Sequence, residues 1–428
     1  MITYTVSGKT REQLINLLSQ DLAFRKNGKS HLFHSLHTFA ARFPPPLPRH
    51  FIQELSLPGE TVLDPMAGSG ATLVEGWLLS RNVIGVDLDP LALRLCRTKT
   101  TWLDPGQVYE AGQRVIDTAL LWNKMGDSLT LFLERIDDAT HEFIDYWFKP
   151  ETQKELSALA LSVQEEPDLH LRSLFEVLIS SIIVTKSGGV SMARDLAHSR
   201  PHRVENKTPR NAIKMFEAQL RHAVQAFQEM RDISRGHSTV LASDCRHLPL
   251  TDERVDLIVT SPPYANAIDY MRAHKFSLVW LGEAINSLSV LRGEYIGTER
   301  LAELEGVILL REVDATIDTL ASLDARKAKV LEKYFHDMSF AIKEMHRVIR
   351  PGRAVIIVVG LSTMRGLPIE THDHLAAIAQ EIGFEVAGVV RRPINRDKRM
   401  MPARWHNNGQ SVIEQRMHEE FAIGLVKP

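Results

Sequence analysis

The sequence predicts an α/β protein built on an open, mostly parallel sheet of seven strands. Two strand-helix pairs follow one another near the start, "ETVLDP" with "ATLVEGWLLS" and "NVIGVD" with "PLALRLCRTK". This alternation is typical of a parallel sheet with helices on its faces. Five further apolar runs of strand length complete the sheet, and the last two can form a hairpin with a long loop: "STVLASD", "VDLIVT", "AVIIVVG", "FEVAGVV" and "FAIGLVK".

Three segments are predicted along the chain. Residues 1–103 contain an N-terminal segment and the first half of the α/β domain, residues 104–237 are a helical insertion, and residues 238–428 complete the domain with a helical excursion at about 285–345. The run "LFEVLISSIIV" in the insertion is shorter than a bilayer span and carries Glu176, so it is predicted to be a buried core helix. Gly352 is predicted to lie just past the end of a later helix.

Composition limits the classes of function. The 428 residues include 51 Lys and Arg against 53 Asp and Glu, so a nucleic-acid surface would have to be a local basic patch. The two cysteines, Cys96 and Cys245, form no CxxC pair and predict neither a disulfide framework nor a zinc cluster. A polar N-terminus and this cysteine usage predict a cytoplasmic protein, and the scattered histidines predict no metal site.

The loop "LDPMAGSGAT" lies where an open α/β sheet binds its ligand, between the first strand and the first helix. Gly68 and Gly70 let the backbone turn tightly and approach a ligand closely. A phosphate-binding P-loop would need Lys and then Ser or Thr where Ala71 and Thr72 stand, and a dinucleotide fingerprint would need a third glycine at Leu73. Both readings fit poorly.

Three acids follow three strands that are successive in the chain. Asp64 can lie near a cation or bind the loop, Asp87 can bind two ribose hydroxyls, and Asp244 can accept from an adenine amino group. A cofactor with a ribose and a positive charge but no phosphate fits this set. The acids therefore predict a site for S-adenosylmethionine.

The stretch "TSPPY" ends the strand "VDLIVT", and with "DPMAGSGAT", "GVDLDP" and "SDCRHLPL" it resembles the amino-methyltransferases of DNA. The resemblance covers about half to two thirds of the chain and implies a Rossmann-like seven-stranded methyltransferase sheet with S-adenosylmethionine as cofactor. The segment "HSLHTFAARFPPPLPRHFI" is similar to the part of this family that closes over the methionine end of the cofactor.

The resemblance also implies the residues of the site. Pro262 and Pro263 lack an N–H and fix φ, which leaves rigid carbonyl acceptors. The Ser261 hydroxyl and the Pro262 carbonyl would hold the target amino group while Tyr264 stacks on the extruded base. The predicted cofactor-binding residues are Phe39, Asp64, Pro65, Ala67, Gly68, Gly70, Thr72, Asp87, Leu88, Asp244, Cys245 and Ser261.

The motif favours the N4 of cytosine over the N6 of adenine, because in this family Ser at its first position leans towards cytosine. Methylation of a cytosine carbon would need a nucleophilic cysteine after a proline, and neither Cys96 nor Cys245 is so placed. Both cysteines are predicted to be small apolar fillers.

Two basic stretches, 185–210 and 391–409, predict contacts with double-stranded DNA. The first lies in the insertion, which is therefore the candidate target-recognition region. The predicted nucleic-acid-binding residues are Lys186, Arg194, Arg200, Arg203, Arg396, Lys398 and Arg399.

Three other functions remain open from the sequence. An RNA amino-methyltransferase would share the catalytic loop, a silent nucleic-acid-binding subunit would share the fold, and a nicotinamide oxidoreductase is disfavoured by the missing third glycine. The family resemblance also implies a cognate restriction or phage-defence system as a partner. The sequence predicts no oligomeric state.

Overall fold

The computed structural model describes residues 2–24, 31–39, 43–185, 188–194, 196, 201–265, 269–298, 311–394 and 419–428, with side chains from residue 8 onward. No helix in these ranges is both long and apolar enough to cross a bilayer.

Seven strands form one sheet, as the sequence predicts. The strands of the described residues, in chain order, are β1 (Thr61–Asp64), β2 (Asn82–Asp87), β3 (Ala193–Arg194), β4 (His202–Arg203), β5 (Ser238–Ala242), β6 (Val255–Thr260), β7 (Ile349–Gly360), β8 (Ser362–Met364), β9 (Leu367–Ile369), β10 (Glu385–Pro393) and β11 (Glu419–Val426). The sheet runs in the order β10, β11, β7, β6, β1, β2, β5, while β3 pairs with β4 and β8 with β9.

The pairing directions define the fold class. β5, β2, β1, β6 and β7 are mutually parallel, and β11 runs antiparallel to both β7 and β10. Chain order therefore reverses direction across the sheet between β1 and β6, which places the topological switch point at the carboxyl ends of these two strands. This is the Rossmann-like α/β sheet that the sequence predicts.

Helices cover both faces of the sheet. They are α1 (Ile2–Leu18), α2 (Pro46–Leu55), α3 (Ala71–Leu78), α4 (Pro90–Lys99), α5 (Pro105–Met125), α6 (Ser128–Leu133), α7 (Asp138–Trp147), α8 (Pro150–Gln164), α9 (Leu169–Ile183), α10 (Ala212–Glu229), α11 (Met271–Leu278), α12 (Ile285–Glu294), α13 (Arg311–Leu323), α14 (Ala325–Val348) and α15 (Thr371–Ile382). Short 3-10 turns occur at Leu32–Ser35 and Val279–Leu281.

The sheet separates two apolar cores. Along β1 and β6, Val62 and Leu257 face one core while Leu63 and Ile258 face the other. Every residue of β6 is buried, because helices cover this central strand on both faces. The first core continues into the helices of residues 104–237, and the second lies under α14 and α15.

Helices α5 to α10 and the β3–β4 ribbon occupy the chain between β2 and β5, where the sequence predicts helices. The run from Leu174 to Val184 lies in α9 and its end, and most of it is buried, as predicted for a core helix. Its Glu176 is partly exposed and pairs with Arg94 of α4 over 3.0 Å. This ion pair attaches the helices of the insertion to the first half of the α/β domain.

The prediction for Gly352 is wrong. Helix α14 ends at Val348, and its C-cap Ile349 is already extended, so β7 begins there without a glycine cap. Gly352 lies inside β7 with φ +74°, and its N–H donates to the Lys427 carbonyl. The positive φ of Gly352 therefore accommodates an irregularity near the start of β7 and does not terminate a helix.

Gly112 of α5 is the point of closest approach to α10. A Cβ at this position would lie 2.4 Å from two methyl carbons of the fully buried Leu220. We expect Gly112→Ala to destabilise the protein by about 1 kcal/mol net, since overpacking costs about 1 to 3 kcal/mol and the better helix propensity of Ala returns up to about 1. Urea unfolding measures this.

The matched control is Gly8→Ala in α1, where a Cβ meets nothing within 4 Å. This variant keeps only the propensity gain and should be stabilised or unchanged. Equal effects of the two substitutions would contradict the close approach of α5 and α10.

Candidate active site

The glycine loop turns between β1 and α3. Gly68 and Gly70 have φ of +48° and +75°, which favours glycine at both positions. A Cβ at Gly70 would lie 3.1 Å from the Sγ of Cys96, so helix α4 packs directly against the turn. The Ser69 carbonyl accepts a hydrogen bond of 2.8 Å from the fully buried Nζ of Lys99. Helix α4 thus holds the glycine loop in place.

Asp64 joins the glycine loop to the predicted catalytic loop. Its Oδ1 accepts from the Oγ1 of Thr260, the last residue of β6, over 2.7 Å, and from the N–H of Met66 over 3.2 Å. Burial raises the pKa of Asp64 to about 6 despite these donors. Nearby, Thr72 at the start of α3 donates to the Val259 carbonyl. The carboxyl ends of β1 and β6 are therefore held together by side-chain hydrogen bonds.

Asp87 ends β2 and supports the loop through the backbone. Its Oδ2 accepts from the N–H of Gly68 over 2.7 Å and its Oδ1 from the N–H of Asp89 over 2.9 Å. Desolvation, and then the charge of Asp89, raise the pKa of Asp87 to about 7. Each carboxylate oxygen has a second lone pair, so both can still accept from hydroxyl groups.

Asp244 follows β5 and is held by an arginine. Three N–H contacts from Arg246 reach its carboxylate within 2.6 to 3.0 Å, and Arg246 also pairs with Asp337 of α14 over 2.6 Å. Burial alone would raise the pKa of Asp244, but Arg246 lowers it overall. The carboxylate is thus kept ionised and oriented at this strand end.

An aromatic wall stands over the glycine loop. A Cβ at Gly68 would lie 3.6 Å from the ring of Phe39, and Phe39 stacks on Tyr270 with ring centroids 5.3 Å apart. His274 packs against Phe39, and its Nδ1 lies 2.7 Å from the Oδ2 of Asp89. Phe39 belongs to the segment predicted to close over the cofactor, of which residues 40–42 lie outside the described chain.

The predicted catalytic loop, residues 261–264, follows β6 directly. Pro262 is buried, and Ser261, Pro263 and Tyr264 are partly exposed. The O–H of Tyr264 donates to Glu420 over 3.0 Å, and burial together with this carboxylate raises the pKa of the phenol well above its usual range. The phenol is therefore a protonated donor at neutral pH.

The remaining predicted cofactor residues lie around the same strand ends. Ala67 is buried and its N–H donates to the Val86 carbonyl, Pro65 is buried, and Leu88 is partly exposed. Cys96 and Cys245 are both buried free thiols whose pKa is raised by burial. Neither has the lowered thiol pKa of a nucleophilic cysteine.

Of the predicted nucleic-acid-binding residues, Arg194 and Arg203 are described; in the β3–β4 ribbon Arg194 pairs with His202 and Arg203 with Ala193. The other five lie outside the described residues: Lys186, Arg200, Arg396, Lys398 and Arg399.

Sequence reasoning missed several residues of the site. His274 of α11 lies four positions after Tyr270, a spacing that indicates one helix face, but nothing local links His274 to Asp89. Lys99 and Glu420 gave no signal at all, because a buried lysine and a strand glutamate acquire their roles only through contacts distant in sequence.

Glu370, His372 and Asp373 bring their ligand atoms within 4.8 Å of one another at the start of α15. Both carboxylates are exposed. Acidic groups in a first helical turn also stabilise the helix end. The cluster therefore has a structural explanation without an ion.

The fold brings a glycine-rich loop and a proline-rich loop together at the switch point of an open α/β sheet. Residues 7–97 match the family model described as DNA methylase, of the N6 and N4 type. The chain is 23% identical over 392 residues to the type II methyltransferase M.MvaI of Kocuria varians, covering 83% of each chain. It is 21% identical to M.BsoBI of Geobacillus stearothermophilus, covering 88% of this chain and 84% of that one.

Residues 7–97 are thus similar to the DNA amino-methyltransferases, and most of the chain is similar to type II methyltransferases. Among solved structures, a TehB-like methyltransferase from Corynebacterium glutamicum covers 99% of the chain and 98% of its own at 11% identity, with a TM-score of 0.28. The sheet order and the pairing directions define the fold.

Asp87→Asn should flatten the dependence of stability on pH. The pKa of Asp87 is about 7 in the folded chain and about 3.9 in an unfolded one. The stability this group contributes is therefore full below about pH 4 and is lost as pH rises through 7. Relative to Asp87→Asn, the wild-type free energy of unfolding should fall across this range by up to about 1.4 kcal/mol per pH unit.

Urea unfolding at a series of pH values without cofactor tests this expectation. The control is Asp373→Asn, an exposed carboxylate in α15, which should give a curve parallel to that of the wild type. A constant difference between wild type and Asp87→Asn at every pH would contradict the raised pKa.

Proposed function

We propose that this DNA amino-methyltransferase transfers a methyl group to the N4 of cytosine in double-stranded DNA, with Ser261, Pro262, Pro263 and Tyr264 as its catalytic loop. The observation that carries the proposal is the hydrogen bond between Asp64 and Thr260, which fixes the start of this loop beside the glycine loop. Two reactants held by these two loops would be neighbours, as a direct transfer requires.

The residues present fit S-adenosylmethionine. Asp64 and Asp87 are desolvated carboxylates with raised pKa values, and a cation in the pocket would favour their ionised forms. Asp87 would bind the ribose hydroxyls, Asp244 the adenine amino group, and Phe39 would cover the loop at Gly68. When bound, the cofactor supplies an electrophilic methyl group on a sulfonium.

The catalytic loop would prepare the amino group of the base. An aromatic amino nitrogen is a poor nucleophile because its lone pair is delocalised into the ring. The Ser261 hydroxyl and the Pro262 carbonyl would accept its hydrogens, which lets the nitrogen pyramidalise. Tyr264 would stack on the extruded base.

A basic and aromatic surface formed by β4, α7 and α11 supports DNA binding. The guanidinium of Arg203 in β4 lies 4.8 Å from the ring centroid of Tyr146, and the Nζ of Lys275 in α11 lies 5.0 Å from that of Phe143. Both rings belong to α7 and pack against Trp147. The Trp147 carbonyl accepts from Met192, which attaches the ribbon to α7.

Two further arginines extend this surface around Lys275. Arg272 and Arg292 both pair with Asp269. The pKa of Lys275 is lowered by desolvation and then by the charges of Arg292 and Arg272, so these cations lie close to one another. Such a concentration of positive charge attracts phosphate. It also supports the proposal that residues 104–237, which contain α7 and the ribbon, recognise the target.

The choice of base rests on Ser261 alone, and adenine N6 is the second candidate, since the same loop serves both bases in the family. Two alternatives are distinguished by the test below: an enzyme that methylates RNA, and a nucleic-acid-binding subunit without activity. A cognate nuclease remains a prediction from the family.

Purified protein incubated with labelled S-adenosylmethionine and, in separate reactions, mixed-sequence duplex DNA or total RNA should yield N4-methylcytosine in the DNA after digestion to nucleosides. Ser261→Ala should lower the rate by about a hundredfold to a thousandfold, the usual effect of removing one preorganised polar contact to the reacting group. The control is Ser322→Ala, an exposed serine of α13. N6-methyladenine would overturn the base assignment, and label found only in RNA would overturn the substrate. No label in either nucleic acid would favour the silent subunit.

Arg203→Ala and Lys275→Ala should each weaken DNA binding at all sequences alike. Each lost phosphate contact should reduce the slope of log affinity against log salt concentration by about 0.9. Fluorescence anisotropy of labelled duplex across a salt series measures this. Arg221→Ala, an exposed arginine of α10 paired with Glu217, is the control, and an equal slope for all variants would contradict the proposed surface.

A further inference from the structure

Tyr264 is tied to a strand far away in sequence. Its O–H donates to the Oε1 of Glu420 in β11, 156 positions further along the chain. The catalytic loop itself is neither helix nor strand, so contacts of this kind decide the direction of the tyrosine ring.

Glu420 is itself fixed. The second oxygen of Glu420 forms an ion pair with the Nη1 of Arg392, its register partner in β10. The side chains of Arg392 and Glu420 are only 6% and 14% exposed, so the pair is shielded from competing water. The Nε of Arg392 in turn donates to the Leu22 carbonyl over 2.6 Å. A chain of polar contacts thus runs from the N-terminal segment to the phenol of Tyr264.

Gly360 provides the space for the ring. It is the last residue of β7 and the register partner of Glu420 on the other side of β11. A Cβ at Gly360 would lie 2.6 Å from the Cε2 of Tyr264 and 3.0 Å from two further ring atoms. Any other residue would push the ring out of this position.

We propose that Glu420, fixed by Arg392, and Gly360 are positioning residues that hold the ring of Tyr264 in the single orientation needed to stack on the extruded base. The inference rests on the proposed role of Tyr264 in the methyl transfer. Glu420 does not touch the base and acts only through the phenol. Stacking on a preset ring avoids ordering the side chain during base binding.

Kinetics of a double-mutant cycle test the inference. Glu420→Ala and Tyr264→Phe should each lower kcat roughly tenfold to a hundredfold, with KM for S-adenosylmethionine unchanged. Glu420→Ala made in the Tyr264→Phe background should have no further effect, because the contact is already lost. Glu420→Gln should retain most of the activity, since its amide oxygen still accepts. Multiplicative effects of the two single substitutions would overturn the proposal.

Two variants separate positioning from general damage. Glu419→Ala removes the neighbouring carboxylate, which pairs with Arg391 on the same two strands, and should leave kcat unchanged. Gly360→Ala removes no charge and should still lower kcat as Glu420→Ala does. Full activity of Gly360→Ala would contradict the role of the space beside Tyr264.

A spectroscopic readout keeps this test independent of catalysis. In protein labelled with 3-fluorotyrosine, the fluorine resonance that disappears in Tyr264→Phe belongs to Tyr264, one of seven tyrosines. It should shift in Glu420→Ala and Gly360→Ala but not in Glu419→Ala. An unmoved resonance would overturn the inference even if the wild type methylates DNA, whereas a wild type that methylates no DNA would overturn only the proposed function.

Discussion

The site depends on one buried hydrogen bond, from Thr260 at the end of β6 to Asp64 at the end of β1. Adjacent parallel strands bring their carboxyl ends together, but each strand then leaves the sheet as an irregular loop whose direction the backbone ladder does not fix. The Asp64 carboxylate fixes both loops at once, since it also accepts from Met66 in the glycine loop. Its desolvation makes the contact costly to break, because either partner left alone would be a buried unsatisfied polar group.

The glycine loop receives its shape from three sides. Asp87 binds the N–H of Gly68, Lys99 binds the Ser69 carbonyl, and Cys96 leaves no room for a Cβ at Gly70. These contacts come from β2 and α4, the elements that follow the loop in the chain. A short local segment therefore builds a rigid concave turn, whereas the catalytic loop depends on residues that lie far apart in the sequence.

This difference explains how much the sequence alone could predict. The strands β2 and β6 and the helix α4 were predicted to the residue, because apolar runs bounded by Asp, Pro and Gly mark local elements. The three acids and the glycines followed from their positions at strand ends. Helix α1 was not predicted, since its packing depends on a distant partner: a Cβ at Gly424 of β11 would lie 2.7 Å from Leu18. The contact between Tyr264 and Glu420 could not be predicted either, because no local pattern pairs residues that are 156 positions apart.

The near-zero net charge of the chain conceals a separation of charge that suits two oppositely charged ligands. The carboxylates of Asp64 and Asp87 are concentrated at the strand ends, where desolvation raises their pKa and a cation would bind favourably. The cations Arg203 and Lys275 lie instead over the aromatic rings of α7, whose faces attract positive charge. Arg203 also pairs with Glu205 over 3.5 Å. The acids at the strand ends and the basic groups over α7 therefore occupy different parts of the fold, and a total charge count cannot show this separation.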